Sequence, residues 1–284
     1  MKLTKRSPLL FLALGLAMMI MSACGPGSSS TPSTLTPLQV VQKSADAMKK
    51  VNSSHIDINA TFTANGVNVD EPQMPSNVAI TLKGSGDQSI PDKQQQLDLT
   101  LSYNNISTQV SDVITGDKAY VKYQGQWYVV DKAQLDQYGV TSNLLTGISI
   151  DENSLLNLLE HVTINDHGNE NLNGQSLRHI TANMDKEAFK QLLLTNPQLK
   201  GTFNSKDLDA LKTFSATADL FIDETNFYVH RTELKVNLGA DANGTTVSMN
   251  LDLTIDLSKF NEPVKITVPT DAKPLDPQQL PSDY

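Results

Sequence analysis

The chain has 284 residues, of which 39% are hydrophobic, and its 31 acidic against 22 basic side chains give a formal net charge of −9. That acidity excludes most nucleic-acid binding and electrostatic docking on an anionic membrane, both of which need a basic surface. One cysteine excludes an internal disulfide and a cysteine-built metal cluster.

Lys2, Lys5 and Arg6 precede an apolar run from Leu9 to Met21, and Ser22-Ala23-Cys24-Gly25 follows. The run is shorter than the roughly 20 residues a mature membrane-spanning helix needs. Its charge, length and small-residue exit are those of a secretory signal, expected over residues 1–23. Met21-Ser22-Ala23-Cys24 resembles the lipobox of bacterial lipoproteins, with Met21 in place of the commoner leucine. The resemblance implies a lipid on the Cys24 sulfur, palmitate among its acyl chains, and a protein held on the extracytoplasmic face of the cell membrane. Two or more acyl chains suffice for stable anchoring, at about 0.8 kcal/mol per buried CH₂. The other reading is an ordinary secreted protein with a cysteine close to the cleavage site. Removal of residues 1–23 would leave 19 basic side chains against the 31 acidic ones.

Residues 24–36 read as a tether rich in Gly, Ser, Thr and Pro. Thr36-Pro37 then forms an N-cap and first helical residue, with Leu38, Val41, Ala45 and Met48 as the apolar stripe of a helix ending near Val51. From His55 the period becomes two. Ile56, Ile58, Ala60 and Phe62 alternate with polar residues, and Asn65-Gly66 is a turn. Residues 67–77, with Pro72 and Pro75, are an excursion. Further strands are expected at Val78–Leu82, Leu97–Tyr103, Val110–Thr115, Lys118–Tyr123 and Gln126–Val130. Gly84-Ser85-Gly86 and Ser89–Gln96 fit a turn, a bulge or a strand extension.

Asp131–Tyr138 and Asp151–Glu160 read as helices, the second with Leu155, Leu156, Leu158 and Leu159 on a broad apolar face. Val162–Ile164 starts a strand, His167-Gly168 turns, and Gln175–Met184 is a strand. Asp185 caps a helix through Ala188, Phe189, Leu192 and Leu193, which Asn196-Pro197 closes. Asp207–Leu211 fits one helical turn. Phe214, Ala216, Ala218, Leu220 and Ile222 line one face of a strand, and Phe227, Val229, Arg231 and Glu233 follow on the next. Asp241–Gly244 is a hairpin loop before the long alternation from Val247 to Leu257. Such alternation implies an antiparallel sheet. Residues 270–284 read as a polar, disordered tail.

This order, together with Ala119-Tyr120-Val121 to Trp127-Tyr128 and Phe260-Asn261-Glu262-Pro263-Val264-Lys265-Ile266, resembles the LppX/LprAFG lipoproteins of the LolA/LolB-like superfamily over residues 37–269. The resemblance implies an α+β fold with a single large, strongly curved antiparallel sheet, a half-open barrel, whose concave face is covered by helices. It also implies an apolar cavity for a lipid or glycolipid. Its candidate lining residues are Ile58, Ala60, Phe62, Leu99, Leu101, Tyr120, Trp127, Leu155, Leu158, Leu159, Phe189, Phe214 and Phe227. The expected protein is a membrane-anchored monomer for lipid carriage or sensing, and the alternative is a structural or interaction domain with a filled core.

No catalytic motif places a nucleophile beside a base, so a non-enzyme without cofactor or metal is expected. His161 and His167 with Asp166 do not have zinc-ligand spacing and read as a solvated loop. Asp241 to Thr245 superficially resembles a calcium loop. The sixth and twelfth positions hold Thr246 and Asp252, where Gly and Glu are required.

Overall fold

The structure, a computed structural model, describes residues 34–66, 77–103, 106–131, 162–195, 209, 211–242 and 245–275. Its first helix, α1, spans Pro37–Met48. Thr36 accepts from Gln39 N while the Gln39 side chain accepts from Thr36 N, a reciprocal box that satisfies two otherwise orphaned N–H groups. Val40, Val41, Ser44, Ala45 and Met48 form the buried side of α1.

Strands β1 (Ser53–Asn65), β2 (Asn77–Ser89), β3 (Gln94–Tyr103), β4 (Ile106–Thr115), β5 (Lys118–Tyr123) and β6 (Gln126–Asp131) form a meander. They are followed by β7 (Val162–Leu172), β8 (Gln175–Met184) and the second helix, α2 (Lys186–Thr195). Then come β9 (Leu211–Ile222), β10 (Val229–Ala242), β11 (Thr245–Ser258) and the two-residue β12 (Lys273–Pro274). The described strands form one sheet in the order β12-β6-β5-β4-β3-β2-β1-β11-β10-β9-β8-β7. All pairings are antiparallel except β12 with β6.

The antiparallel sheet is as expected, but the strongly curved half-open barrel is not found. The sheet is open and not strongly curled, and two helices are present among the described residues. Closure requires the two ends of the strand order to meet, whereas β12 and β7 do not pair. Bulges and register shifts are the usual means of bending a sheet. Among the described residues they occur only within the β7–β8 and β9–β10 pairs, and β1 to β6 run in register without one. The helix expected at 151–160 lies outside the described residues, as do all of the helix expected at 131–138 but Asp131, which ends β6, and all of the excursion at 67–77 but Asn77, which begins β2.

Several local expectations are refined. The Gly84-Ser85-Gly86 stretch is strand, not turn. A Cβ on Gly86 would lie 1.9 Å from the Gln96 carbonyl oxygen, so the close approach of β2 and β3 demands glycine there. His167-Gly168 is a bulge inside β7, and the turn comes at Asn173-Gly174, both with positive φ (52° and 84°). The Asp185 carboxylate caps α2 by accepting from Ala188 N. Phe227 is not in a strand. It sits in the β9–β10 turn at φ 60°, and a register shift after Val229 turns Val229 and Arg231 to opposite faces.

Phe260–Ile266 is not in a strand and starts a strap that leaves β11 and crosses to β6. Asn261, at φ 61°, accepts from Asn52 N at 2.7 Å, and its side-chain amide donates to the Tyr228 hydroxyl at 3.1 Å. Thr267 N donates to Gln96 Oε1 and Leu275 N to the Val129 carbonyl. Of the tail expected at 270–284, residues 270–275 are described, and Lys273 and Pro274 pair with β6; residues 276–284 lie outside the described residues.

Candidate functional site

Directly opposed residues of paired strands share a face, so the registers define two faces across the whole sheet. One is apolar. Its first row runs through Leu257, Ile56, Gly86 and Leu97, and the next through Ile255, Ile58, Gly84, Leu99 and Val110. Beyond them lie Leu253, Ala60, Leu82 and Leu101, then Leu251, Phe62, Ile80, Tyr103 and Ile106. Helix α1 packs over the first rows, where Ile56, Ile58, Leu97, Ile180, Leu220 and Ile222 join Val40, Val41 and Met48 in a buried core.

Away from α1 the apolar face opens. Leu101 is 45% exposed, Met249 38%, Tyr103 37% and Ile106, at the β3–β4 end, 70%. Ala60 and Phe62 are half-buried between these limits. Phe214 is on the same face at the β9 side, and Phe189 of α2 packs on it with ring centroids 4.7 Å apart. Thus Ile58, Ala60, Phe62, Leu99, Leu101 and Phe214 share one face, with Phe189 against it. Phe227 packs beside the α1 core, with Lys43 Nζ 4.9 Å from its ring centre. Tyr120 and Trp127 stand on the opposite, polar face, where Lys122 lies 5.8 Å from the Trp127 ring centre. Leu155, Leu158, Leu159 and Cys24 lie outside the described residues.

One acid interrupts the apolar face. Asp112 of β4 sits between Leu97 and Val121 in the rows of opposed residues. Its Oδ1 is buried without a hydrogen-bond partner. Burial, with the Asp98 charge adding to it, pushes its pKa up to about 7. The signal was present in the β4 alternation, since Val110, Asp112 and Ile114 share parity.

The polar face carries two ordered clusters. His179 stacks between His167 and Phe221, each at a centroid distance of 4.4 Å, and His179 Nε2 lies 3.0 Å from Asp219 Oδ1. Its Nδ1 is 3.0 Å from Glu170 Oε1, but off the line of a hydrogen bond. Burial pulls the His179 pKa down, yet the Glu170 and Asp219 carboxylates outweigh it and the net shift is upward. Arg231 meanwhile makes a two-pronged contact with Asp256 at 2.6 and 2.9 Å.

His167 is therefore in strand β7, exposed and stacked on His179, rather than in a loop; His161 lies outside the described residues. Asp166 bonds Arg178, whose guanidinium holds that carboxyl below its usual range despite some desolvation. Asp241 pairs with Lys212, and the strands on either side run to within two residues of each other, as a hairpin requires. Among the described residues no group of three or more His, Cys, Asp or Glu side chains could hold a metal ion. No described helix is long and apolar enough to cross a membrane.

Residues 36–275 match the profile of a family described as "Family of unknown function (DUF6612)". No curated protein sequence matches the chain. Among solved structures the chain is similar to the lipoprotein LppX of Mycobacterium tuberculosis, with 19% identity and a TM-score of 0.40, over 80% of this chain and 96% of that one. It is also similar to LprF from Mycobacterium bovis, with 18% identity and a TM-score of 0.42, over 81% and 95%. The ywiB protein of Bacillus subtilis is more distant, at 8% identity and a TM-score of 0.18, over 72% and 92%. The resemblance to LppX/LprAFG lipoproteins is thus met in solved structures, and no function is carried over from them.

Proposed function

The chain belongs to the DUF6612 family, and we propose that it is a non-enzymatic envelope lipoprotein which holds a hydrophobic ligand against the apolar face of its sheet. Cys24 is its anchor to the extracytoplasmic face of the membrane, residues 25–36 its tether, and a monomer its working form. The observation that carries the reading is that the apolar face extends past its helix cover. Val40, Val41 and Met48 of α1 fill the first rows as far as Leu97 of β3, whereas Leu101, Tyr103, Ile106 and Met249 remain exposed. Contiguous exposed apolar surface marks an interaction site on an otherwise acidic protein. Covering it with an acyl chain contributes about 25 cal/mol per Å² removed from water.

The test is binding of a fluorescent fatty acid or phospholipid, with two tryptophan substitutions as probes of position. Ala60→Trp, in the half-buried row, is expected to reduce uptake while leaving the fold intact. Ile58→Trp, where the side chain is 4% exposed, overpacks the core and is expected to cost about 1–3 kcal/mol of stability. Absence of saturable binding of any apolar probe would sink the reading and leave an interaction domain in its place.

A further inference from the structure

Asp112 is an expensive residue in its position. Leu97, opposite it on β3, is 0% exposed, and Val121 is opposite it on β5. Val110 and Ile114 are its same-face neighbours along β4. The buried Oδ1 has neither a donor nor, among the described residues, a cation to hold its charge. Asp98 on the adjacent strand is the one described charge acting on it, and it disfavours ionisation. A buried acceptor without a partner costs free energy that folding alone does not recover. Gln95, 9% exposed, stands diagonally across the β3–β4 pair, about 7 Å away by strand geometry. Gln95 is opposite Gln88, whose amide donates to Ser54 Oγ at 2.8 Å, so Asp112 stands where a polar row meets the apolar ones.

From Asp112 the same strip runs along β3 and β4 through Leu99 and Leu101 to Tyr103 and Ile106. Six residues at roughly 3.4 Å each make it about 20 Å long. One leaflet of a bilayer core, half of about 30 Å, is filled by acyl chains in a comparable distance. Exposure increases along it from 0% at Leu97 to 45% at Leu101 and 70% at Ile106. A buried unpartnered acceptor thus lies at one end of a strip with the length of a lipid chain, apolar except for Thr108 opposite Leu101.

We propose that Asp112 is the head-anchoring residue of this face, accepting a hydrogen bond from the hydroxyl head of a single-chain or glycerol-based amphiphile whose hydrocarbon lies toward Ile106. The assignment deepens the ligand-holding reading above and rests on it. It gives that reading a chemical class. A hydroxyl supplies the donor that Oδ1 lacks, whereas an anionic carboxylate head meets a like charge once Asp112 ionises.

The experiment uses the full chain carrying Cys24→Ala, with Asp112→Asn and Asp112→Leu made in the same chain so that uptake by residues 1–23 cancels. Each is loaded with phenylnaphthylamine, an uncharged apolar dye, at about pH 8.5, where Asp112 would be ionised. Monooleoylglycerol and oleate, which share a chain and differ in head, then compete for it. Monooleoylglycerol is expected to displace the dye about tenfold more readily than oleate in the starting chain. Asp112→Asn, which keeps the shape and removes the charge, should bring the two within about twofold by improving oleate. Asp112→Leu should bind the dye and lose the hydroxyl preference. Equal preference in all three chains would overturn the role of Asp112, while the dye uptake itself would still uphold the apolar ligand face. If the starting chain takes up no more dye than buffer, the ligand face and its anchor fall together.

Discussion

At the scale of single residues, Asp112 also makes a thermodynamic statement. Its folded pKa, about 7, lies above the value near 3.8 of an ordinary aspartate. Between those values the folded state binds more protons than the unfolded one, so stability falls as pH rises. Below the unfolded pKa the group carries no ionisation penalty. Above the folded pKa the full penalty applies, up to about 4 kcal/mol at 1.36 kcal/mol for each pKa unit. Asp112→Asn is therefore expected to stabilise the protein by about 2–4 kcal/mol at about pH 8.5 and by little at about pH 4. Urea unfolding at the two pH values checks it, and equal effects at both would show that the Asp112 carboxyl is not held above its ordinary range. His179 contributes in the other direction of charge. Its pKa is raised, so its ion-pair stabilisation is complete below the ordinary histidine value and declines as pH rises through the shifted one.

At the scale of elements, the strap after β11 is held by Asn261 more than by any ladder. Its backbone N–H donates to the Ser53 carbonyl, and its side chain spans Asn52 and Tyr228. Ser53 Oγ donates to the Glu262 carbonyl at 2.6 Å, and Phe260 packs on Tyr228 with centroids 4.7 Å apart. The clasp thus ties the start of β1 to the strap and to the β9–β10 turn. Asn261→Gly tolerates the positive φ but loses both side-chain bonds, for an expected cost of about 1–2 kcal/mol. Asn261→Ala loses the same bonds and adds a left-handed backbone penalty of about 1 kcal/mol. Chemical denaturation of the two variants separates the terms. Identical midpoints would mean that the backbone conformation at 261 carries no cost.

At the scale of the whole molecule, a formal net charge of −9 disfavours electrostatic docking on an anionic bilayer. In the proposed reading it is Cys24 that attaches the protein to the membrane. Cys24→Ala is expected to abolish incorporation of labelled palmitate, with the wild-type chain acquiring the label. A wild-type chain that takes up no label would remove the anchor from the proposal and leave the apolar face untouched. The open strand order has its own consequence, because among the described strands β7 is the edge at one end of the sheet. The bulge at Asp166–Gly168 interrupts that edge and makes it a poor template for another strand.

The sequence by itself determined what depends on neighbours in the chain. Alternation along Ile56–Phe62, Phe214–Ile222 and Val247–Leu257 specified strands with one apolar face, and Thr36-Pro37 and Asp185 specified helix starts. Asn173-Gly174 and the parity of Asp112 with Val110 and Ile114 were equally legible, being set by neighbours in the chain. Tyr120 and Trp127 were harder, because Ala119, Tyr120 and Val121 offer apolar side chains to both faces. Only pairing of β5 with β4 places Ala119 opposite Ile114 and Tyr120 opposite Val113. The strand order, the absence of strong curl and the strap from Asn261 to Leu275 belong to tertiary structure for the same reason. Each depends on which distant strands pair and where the register shifts, as when Asn52 meets Asn261 across 209 residues. A period of two says which side chains share a face of one strand; the contacts between strands decide what that face encloses.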